Sequence, residues 1–377
     1  MERNVKRLAI LGSTGSIGRQ TLEVVRCFPD EFEVVVLCAG RNIELLKSQV
    51  EEFRPTYFCQ TGEEGGRMGG ASHIPPQEAV RLPQVDIVVA AMAGSVGMGS
   101  TIAALQAGKK VALANKEPIV MAGELLMQAA AENGAEILPV DSEPSAIWQC
   151  MQGEATPARK LILTASGGAF RDRTWESLRD VTPAEALRHP TWQMGHKITV
   201  DSATLMNKAF EVVESRWLFG MPFERIEVVV HRQSIIHSMV EFEDGAVKAQ
   251  MGPPDMRFPI QYALFHPDRR ANGNLPKFDP VKIGSLTFEA MKPSLYPCFE
   301  LAMDYARRGG TWPAVLAGAD EAAVALFLDG KVRFTDLPDV VSKTLGKHTA
   351  DKSPGLEDVI QAASWAFEQT LKDWRAI

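Results

Sequence analysis

The amino-acid sequence predicts an α/β protein with three parts: an N-terminal doubly wound, Rossmann-like domain, a central α/β domain with antiparallel strands, and a C-terminal α-helical bundle. In the first part, short apolar runs alternate with helical segments, as in a mostly parallel sheet. A hairpin pattern with Asp-Gly in its turn follows, and then four segments of helical periodicity separated by glycine and proline. We therefore expect domains at residues 1–140, 141–265 and 293–377, with a linker at 266–292.

The composition is that of an ordinary globular protein. Hydrophobic residues make up 45% of the 377 positions and charged residues 23%, which argues against disorder or a fibrous array. The net charge of −7, without basic runs, argues against binding to nucleic acid or to an anionic membrane. Five cysteines without a C-x-x-C pair favour buried thiols in a reducing compartment. Because no apolar run resembles a membrane span or a secretion signal, we expect a cytoplasmic protein.

A glycine-rich turn joins the first predicted strand to the first helix. The apolar run at residues 7–11 leads into Gly12-Ser-Thr-Gly15-Ser-Ile-Gly18, and helical periodicity follows. Such turns let backbone amides and the positive helix end approach a pyrophosphate. The spacing is G-x-x-G-x-x-G, whereas the standard motif is G-x-G-x-x-G, so a simple tight turn is the alternative. The position between a strand and a helix favours a dinucleotide site.

Arg41 follows the second predicted strand, at residues 32–38. At this point, enzymes that use NAD usually place an acidic residue against the ribose 2′-hydroxyl group. A guanidinium group instead pairs well with a 2′-phosphate, so Arg41 favours NADP over NAD. The alternative is a solvated arginine at the start of the next helix.

Two carboxylates follow the last strand of the first domain. Asp141 and Glu143 precede a helix in which we expect Pro144 to take the first position. Lys116 follows the strand before it. Because ligands of open α/β sheets bind at the carboxyl ends of strands, these groups suggest a site for Mg2+ or Mn2+ with a proton donor beside it. In the alternative, Asp141 caps the helix, Glu143 favours its positive end, and Lys116 is an exposed loop lysine.

Further polar groups lie in the central domain. Ser166 precedes two glycines in a turn after a strand, a composition that can wrap an oxyanion. The segment near 188–197 contains Trp192 and Met194 and has the composition of a lid, with a buried core loop as the alternative.

The next predicted helix begins at Asp201 or Ser202, either of which can serve as its N-cap. Asn207, Lys208 and Glu211 then share one polar face. These side chains can supply donors to a phosphate and a third carboxylate to a metal ion. A solvated face with a Lys–Glu pair is the alternative.

Together these motifs resemble those of the bacterial 1-deoxy-D-xylulose 5-phosphate reductoisomerase family, over nearly the full length of the chain. The matching motifs, in the family's order and spacing, are Gly12-Ser-Thr-Gly-Ser-Ile-Gly18, Ala114-Asn-Lys-Glu117, Val140-Asp-Ser-Glu143, Ser166-Gly-Gly168, His189-Pro-x-Trp192-x-Met194-Gly195, Lys197-Ile198, Asp201-Ser-Ala-Thr204 and Asn207-Lys208 with Glu211. The resemblance implies an NADPH- and metal-dependent oxidoreductase and isomerase of the non-mevalonate isoprenoid pathway. Such an enzyme converts 1-deoxy-D-xylulose 5-phosphate to 2-C-methyl-D-erythritol 4-phosphate as a homodimer.

The resemblance also implies a role for each matching residue. Contacts to NADPH are implied for Thr14, Gly15, Ser16, Ile17, Gly40, Arg41, Asn42, Asn115, Glu117 and Gly195. A site for Mg2+ or Mn2+ is implied for Asp141, Glu143 and Glu211. Contacts to the sugar phosphate are implied for Lys116, Ser142, Glu143, Ser166, His189, Ser202, Asn207, Lys208 and Glu211. Lid roles are implied for Trp192 and Met194, and Lys116 and Glu143 are our candidates for proton transfer.

The chain departs from the family pattern at His196, at Ala209 and in the stretch Leu316-Ala-Gly-Ala-Asp320-Glu, but no proposed ligand is lost. Two other functions fit part of the sequence. A metal-independent Rossmann dehydrogenase, such as a homoserine dehydrogenase, leaves the three acids unexplained. A non-catalytic NADP(H) sensor does not explain the presence of the lid and the phosphate-binding residues.

Overall fold

The computed structural model describes residues 5–60 and 65–374. Its strands are β1 (Lys6–Leu11), β2 (Phe32–Ala39), β3 (Tyr57–Gln60), β4 (Arg67–Met68), β5 (Ala71–His73), β6 (Ile87–Ala90), β7 (Lys110–Leu113), β8 (Glu136–Pro139), β9 (Lys160–Ala165), β10 (Ile226–Val230), β11 (Ile236–Glu241), β12 (Val247–Met251) and β13 (Glu289–Ala290). Its α-helices are α1 (Ser16–Cys27), α2 (Ile43–Phe53), α3 (Pro76–Ala79), α4 (Met98–Gln106), α5 (Glu117–Asn133), α6 (Ser142–Met151), α7 (Pro183–Ala186), α8 (His196–Thr204), α9 (Met206–Phe219), α10 (Arg257–Phe265), α11 (Pro280–Ile283), α12 (Pro297–Arg308), α13 (Trp312–Leu328), α14 (Leu337–Leu345) and α15 (Leu356–Trp374).

Internal contacts divide the chain into two compact units. The first contains the residues up to Pro118 together with Leu126–Ser145 and Asp255–Lys277. The second contains Ile119–Leu125, Ala146–Pro254 and the residues from Phe278 onward. Helix α10 therefore belongs to the first unit, where it packs against α1, β7 and β8.

The first unit is built on an eight-stranded sheet with the order β4-β5-β3-β2-β1-β6-β7-β8. Every neighbouring pair is parallel except β4 and β5. Strands β1, β2 and β6 are apolar and buried for most of their length, as expected for parallel strands covered on both faces. The strand order changes direction between β1 and β6, which is the point where doubly wound sheets bind their ligands. The predicted Rossmann-like domain is confirmed.

Two glycines allow close packing at this point of the sheet. Gly12 has a φ of +84°, and a Cβ atom there would lie 2.4 Å from the carbonyl oxygen of Ala91. A Cβ atom at Gly18, in α1, would lie 2.2 Å from the carbonyl oxygen of Gly12. Any larger residue would force the backbone apart, so glycine is required for α1 to approach the turn. This is the helix-packing role of the third glycine in dinucleotide motifs.

The second unit contains a five-stranded sheet with the order β12-β11-β9-β10-β13. Strands β9 and β10 are parallel, and the other neighbouring pairs are antiparallel. The hairpin predicted around Asp244 and Gly245 is formed by β11 and β12, and Gly245 takes the left-handed conformation with a φ of +84°. The predicted antiparallel strands are therefore confirmed.

The prediction that a helix begins at Asp201 or Ser202 is wrong. Both residues lie inside α8, which begins at His196. Leu205 then adopts a left-handed conformation with a φ of +57°, and α9 follows. This conformation costs a leucine roughly 1–2 kcal/mol, and burial of the Leu205 side chain helps to offset that cost. The apolar periodicity continues through the break, so the sequence does not reveal it.

The predicted helical bundle is formed by α12 to α15. Helix α13 is apolar on nearly all sides, because it packs against α12, α14, α15 and α8. A Cβ atom at Gly318 would lie 2.1 Å from the carbonyl oxygen of Ala363, so glycine lets α13 and α15 approach closely. Among the described residues, no helix combines the length and the apolar character needed to cross a membrane.

Candidate functional site

Lys116 and Asp141 form an ion pair at one edge of the first sheet. Lys116 follows β7 and Asp141 follows β8, and the two strands are parallel neighbours. Parallel strands bring their carboxyl ends to the same edge, which explains how residues distant in sequence meet. Lys116 is only 5% exposed, so the solvated loop lysine considered for this position is excluded.

Asp141 also caps helix α6. Its side-chain Oδ1 accepts a hydrogen bond of 3.0 Å from the backbone N–H of Ser142, and its carbonyl oxygen accepts one of 2.9 Å from Ser145. The helix begins at Ser142, so Pro144 occupies its third position and the prediction of the first position is wrong. Glu143 accepts a hydrogen bond from the Ser142 hydroxyl group. The capping role and a ligand role are compatible, because a carboxylate has two oxygens.

The proposed dinucleotide-contacting residues of the first unit lie in the turns that follow β1, β2 and β7, or at the start of the helix after the turn. Gly15, Ser16, Gly40 and Arg41 are exposed there. Beside them, the Asn42 side chain caps α2 by accepting a hydrogen bond of 3.2 Å from the backbone of Leu45. Exposed backbone and a guanidinium group along one sheet edge fit a phosphorylated dinucleotide.

Asn115 links the end of β7 to the loop that follows β6. Its side-chain Nδ2 donates hydrogen bonds of 2.5 Å to the carbonyl oxygen of Met92 and 2.9 Å to that of Gly94. The two loops at this edge of the sheet are therefore held together. Thr14 and Ile17 in the glycine turn, and Glu117 at the start of α5, are partly buried.

In the second unit, Ser166 and His189 form a hydrogen bond of 2.9 Å between Oγ and Nε2. The His189 Nδ1 accepts hydrogen bonds from the backbone N–H groups of Thr191 and Trp192, at 3.2 and 2.9 Å. A neutral imidazole with Nδ1 as acceptor carries its proton on Nε2, so His189 donates to Ser166. The Ser166 oxygen also accepts from the backbone N–H of Gly168, at 3.1 Å. Its own proton is then available to a ligand oxygen.

Arg171 and Tyr296 support this serine turn. The Arg171 Nη1 donates hydrogen bonds of 3.1 Å to the carbonyl oxygen of Ser166 and 3.0 Å to that of Arg232. The Tyr296 hydroxyl group donates to the carbonyl oxygen of Gly167, at 3.3 Å. Burial raises the pKa of Tyr296, so its hydroxyl group remains a donor at neutral pH.

On the polar face of α9, Lys208 and Glu211 are buried and Asn207 is half-buried, so the solvated face considered for it is excluded. Glu211 is 1% exposed and pairs with the ammonium group of Lys208. The Asn207 Nδ2 donates a hydrogen bond of 2.5 Å to Oε1 of the same carboxylate. Ser202, on α8, is also buried. Buried polar side chains of this kind usually belong to a binding site or to a structural hydrogen-bond network.

Trp192 and Met194 are partly buried, and Gly195 is exposed immediately before α8. The Trp192 ring lies 6.0 Å, between centroids, from the ring of His237. His237 is buried, with its Nε2 at 3.1 Å from the carbonyl oxygen of Gly252. The segment thus rests on the sheet of its own unit through one aromatic contact.

The three predicted metal ligands belong to different units: Asp141 and Glu143 lie in the first, and Glu211 lies in the second. Asp141 and Glu143 are half-buried and Glu211 is buried, so none of the three is a fully solvated surface acid. Hard oxygen donors are the ligands that Mg2+ and Mn2+ prefer.

One buried charged cluster was not predicted. Lys197 forms ion pairs with Asp201 at 2.7 Å and with Asp320 at 2.8 Å. The spacing of four residues between Lys197 and Asp201 is a sequence signal for a helical pair. No local pattern connects either residue to Asp320 in the C-terminal bundle.

Family models match most of the chain. A model described as 1-deoxy-D-xylulose 5-phosphate reductoisomerase matches residues 8–68 and 69–123. A model of the 1-deoxy-D-xylulose 5-phosphate reductoisomerase C-terminal domain matches residues 137–219. A model of the DXP reductoisomerase C-terminal domain matches residues 251–369.

Individual relatives cover nearly the whole chain. The 1-deoxy-D-xylulose 5-phosphate reductoisomerase of Pelotomaculum thermopropionicum is 48% identical over 381 residues, with 98% of each chain covered. That of Heliobacterium modesticaldum is 50% identical over 375 residues, with 96% of each covered. The solved reductoisomerase from Zymomonas mobilis in complex with NADPH is 37% identical, with a TM-score of 0.90 over 99% of this chain and 100% of that one. A reductoisomerase structure with NADPH, fosmidomycin and magnesium is 35% identical, with a TM-score of 0.91 and 98% of both chains covered.

Proposed function

The chain belongs to the 1-deoxy-D-xylulose 5-phosphate reductoisomerase family, and from this premise we propose that it converts 1-deoxy-D-xylulose 5-phosphate to 2-C-methyl-D-erythritol 4-phosphate. The reaction uses NADPH and a divalent metal ion in isoprenoid precursor biosynthesis. The observation that carries the proposal is the buried ion pair of Lys116 and Asp141, beside Glu143, in a chain that matches reductoisomerases over nearly its whole length. A metal-independent dehydrogenase or an NADP(H) sensor has no use for the second carboxylate, Glu143.

We propose that Asp141, Glu143 and Glu211 hold Mg2+ or Mn2+. Lysines already compensate two of these charges, because Lys116 pairs with Asp141 and Lys208 pairs with Glu211. A bound cation provides the same compensation directly. When bound, the metal ion polarises the carbonyl group of the substrate and NADPH supplies the hydride.

Lys116 and Glu143 are the proposed groups for proton transfer. The Lys116 ammonium group contacts the Asp141 carboxylate, and burial keeps it away from bulk water. Glu143 accepts a hydrogen bond from Ser142, which fixes its orientation. A positioned acid or base of this kind contributes typically 10²–10⁴-fold to rate.

The proposed phosphate subsite lies in the second unit. We assign to it Ser166, His189, Ser202, Asn207 and Lys208, all of which carry donors. The strongest support is the Ser166 hydroxyl group, whose oxygen already accepts from His189 and Gly168. Its proton is then directed to a ligand, and donation to a charged phosphate oxygen is worth about 1.5–3 kcal/mol.

We place the dinucleotide at the glycine turn, with Arg41 against the 2′-phosphate of NADPH. The proposed contacts are those of Thr14, Gly15, Ser16, Ile17, Gly40, Arg41, Asn42, Asn115, Glu117 and Gly195. Gly12 and Gly18 support this assignment, because a Cβ atom at either position would clash with the backbone. With glycine at both positions, the positive end of α1 can lie close to the turn. Trp192 and Met194 are the proposed lid residues.

We further propose a homodimer. Strand β12 is an edge strand of the second sheet, and it exposes Val247 and Met251. Phe278, Val281 and Phe288 are also exposed in the second unit. Apolar side chains at an unpaired strand edge are a liability unless another chain covers them. Light scattering measures the mass of the assembly, and a monomeric mass would contradict the proposed homodimer.

A cytoplasmic location also stays a prediction.

The function is tested by incubating the protein with 1-deoxy-D-xylulose 5-phosphate, NADPH and Mg2+. We expect NADPH absorbance to fall and the product to be identified by mass and NMR spectra as 2-C-methyl-D-erythritol 4-phosphate. Absence of NADPH oxidation with this substrate, under conditions where the protein is folded and metal is present, would reject the proposal.

A further inference from the structure

The cluster of Lys197, Asp201 and Asp320 lies outside the residues assigned to substrate, cofactor or metal. The Lys197 Nζ is 2.7 Å from Oδ2 of Asp201 and 2.8 Å from Oδ2 of Asp320. The two aspartates are 2% and 4% exposed, so both carboxylates are almost fully withdrawn from water. A buried charged group of this kind needs close partners to be tolerated.

Lys197 contacts three helices through its ammonium group. It lies on α8 with Asp201, and Asp320 lies on α13 of the C-terminal bundle. The same Nζ is 5.2 Å from the ring centroid of Phe210, on α9, within the range of a cation–π contact. Phe210 is buried and directly precedes the proposed metal ligand Glu211.

Pairing within α8 already gives Lys197 an opposite charge. Asp201 is four residues after Lys197 and forms a helical ion pair with it. Asp320 brings a second carboxylate, from a different helix, to the same ammonium group. Because burying another charge is costly, a buried ion pair is weak evidence for stability, and a fixed geometry between the two helices is another role for it. The second carboxylate ties α8 to α13 at this ammonium group.

The position of α8 matters because of the break at Leu205. Ser202 lies on α8, whereas Asn207 and Lys208 lie on α9, and Leu205, with its φ of +57°, joins the two helices. Leu205 is the only residue between α8 and α9, so the angle between these helices also depends on their contacts with neighbouring helices. Lys197 provides one contact to each side of the break, to Asp201 before it and to Phe210 after it.

We infer that Asp320 is a positioning residue for the phosphate subsite, acting through Lys197 on helices α8 and α9. This inference rests on the proposed function, because it concerns the subsite for the substrate phosphate. The C-terminal bundle carries none of the assigned site residues. Through Asp320 it would nevertheless affect the affinity for the substrate. Asp320 touches neither substrate nor cofactor in this account.

The test compares Asp320→Ala and Asp320→Asn with the wild type. Asp320→Ala removes the oxygen that faces Lys197, and we expect the KM for 1-deoxy-D-xylulose 5-phosphate to rise roughly tenfold, because small displacements of binding groups are costly. Asp320→Asn keeps an oxygen acceptor but loses the negative charge, so it should raise the same KM by a smaller factor, roughly threefold. The KM for NADPH should stay within about twofold of the wild-type value, because all of its proposed contacts except Gly195 lie in the first unit.

A matched control and a second probe separate positioning from loss of stability. Asp373 pairs with Lys347 in the same helical bundle, at 2.6 Å, so Asp373→Ala removes a more exposed ion pair, distant from α8 in sequence, and should leave both KM values unchanged. Inorganic phosphate, used as a competitive inhibitor, should bind Asp320→Ala more weakly by the same factor as the substrate. Thermal unfolding of each variant shows whether it is folded.

The possible outcomes are distinct. Equal KM values for the substrate in the wild type and in folded Asp320→Ala or Asp320→Asn would overturn the inference and leave the proposed function intact. An equal rise in both KM values would also overturn it, since that indicates a general disturbance. If Asp320→Ala does not fold, Asp320→Asn decides: it must raise the substrate KM and the phosphate inhibition constant together. Lack of wild-type turnover rejects the proposed function, and the inference with it.

Discussion

Lys116 and Asp141 form a buried ion pair at the carboxyl ends of the neighbouring parallel strands β7 and β8. The same two strands carry a second pair at their other ends, between Lys110 and Glu136, at 3.1 Å. Both members of that second pair are about half exposed. Each pair joins a lysine to a carboxylate across the same two strands or their ends, and the pairs differ in burial and in the sheet edge on which they lie.

This relationship supplies a matched test of the role of Lys116. Lys116→Met should lower kcat by about 10²–10⁴-fold, the usual contribution of a positioned proton-transfer group. Lys110→Met should leave kcat nearly unchanged, because exposed ion pairs contribute little. Steady-state rates with NADPH and the sugar phosphate measure both. A Lys116→Met enzyme with wild-type kcat would exclude the catalytic role of this lysine.

Arg41 should determine the preference for NADPH. Loss of charge-assisted hydrogen bonds to the 2′-phosphate in Arg41→Gln should raise the KM for NADPH about ten- to hundredfold. The KM for NADH, which lacks that phosphate, should change little. Arg54, an exposed arginine just after the other end of α2, provides the control variant Arg54→Gln. If Arg41→Gln weakened both cofactors equally, the assignment to the 2′-phosphate would be wrong.

Ser166 should contribute to substrate affinity and not to cofactor affinity. Ser166→Ala removes the hydroxyl proton that we assign to the phosphate, so the KM for the sugar phosphate should rise about ten- to hundredfold. Ser177→Ala is a control, because that serine is exposed and its hydroxyl group donates only to the carbonyl oxygen of Thr174 among the hydrogen bonds described. An unchanged substrate KM in Ser166→Ala would remove this residue from the proposed subsite.

Much of the fold follows from local patterns in the sequence. Apolar runs bounded by glycine and polar residues predict β1 and β2 to within a residue or two, because parallel strands covered on both faces need continuous apolar segments. The proximity of Lys116 to Asp141 also follows, since the carboxyl ends of parallel strands meet at one edge.

Other features depend on contacts that no local pattern records. The break at Leu205 is not predicted, because leucine rarely adopts a positive φ and the helical periodicity continues across it. The contact between Lys197 and Asp320 joins distant parts of the chain, and an aspartate in an alanine-rich helix looks like an exposed residue. The burial of Glu211 is likewise a tertiary effect, since its spacing from Lys208 is equally typical of a solvated pair.

The central claim is that Asp141, Glu143 and Glu211 hold a metal ion that the reaction requires. Its most direct test is NADPH oxidation with 1-deoxy-D-xylulose 5-phosphate as Mg2+ or Mn2+ is added to chelator-treated protein, for the wild type, Glu211→Gln and the exposed control Glu224→Gln. We predict no oxidation without metal, saturable activation with it, and a metal requirement raised at least roughly tenfold in Glu211→Gln alone, with NADPH affinity nearly unchanged. Full activity of the metal-free wild type, or an unaltered metal requirement in Glu211→Gln, would contradict the account.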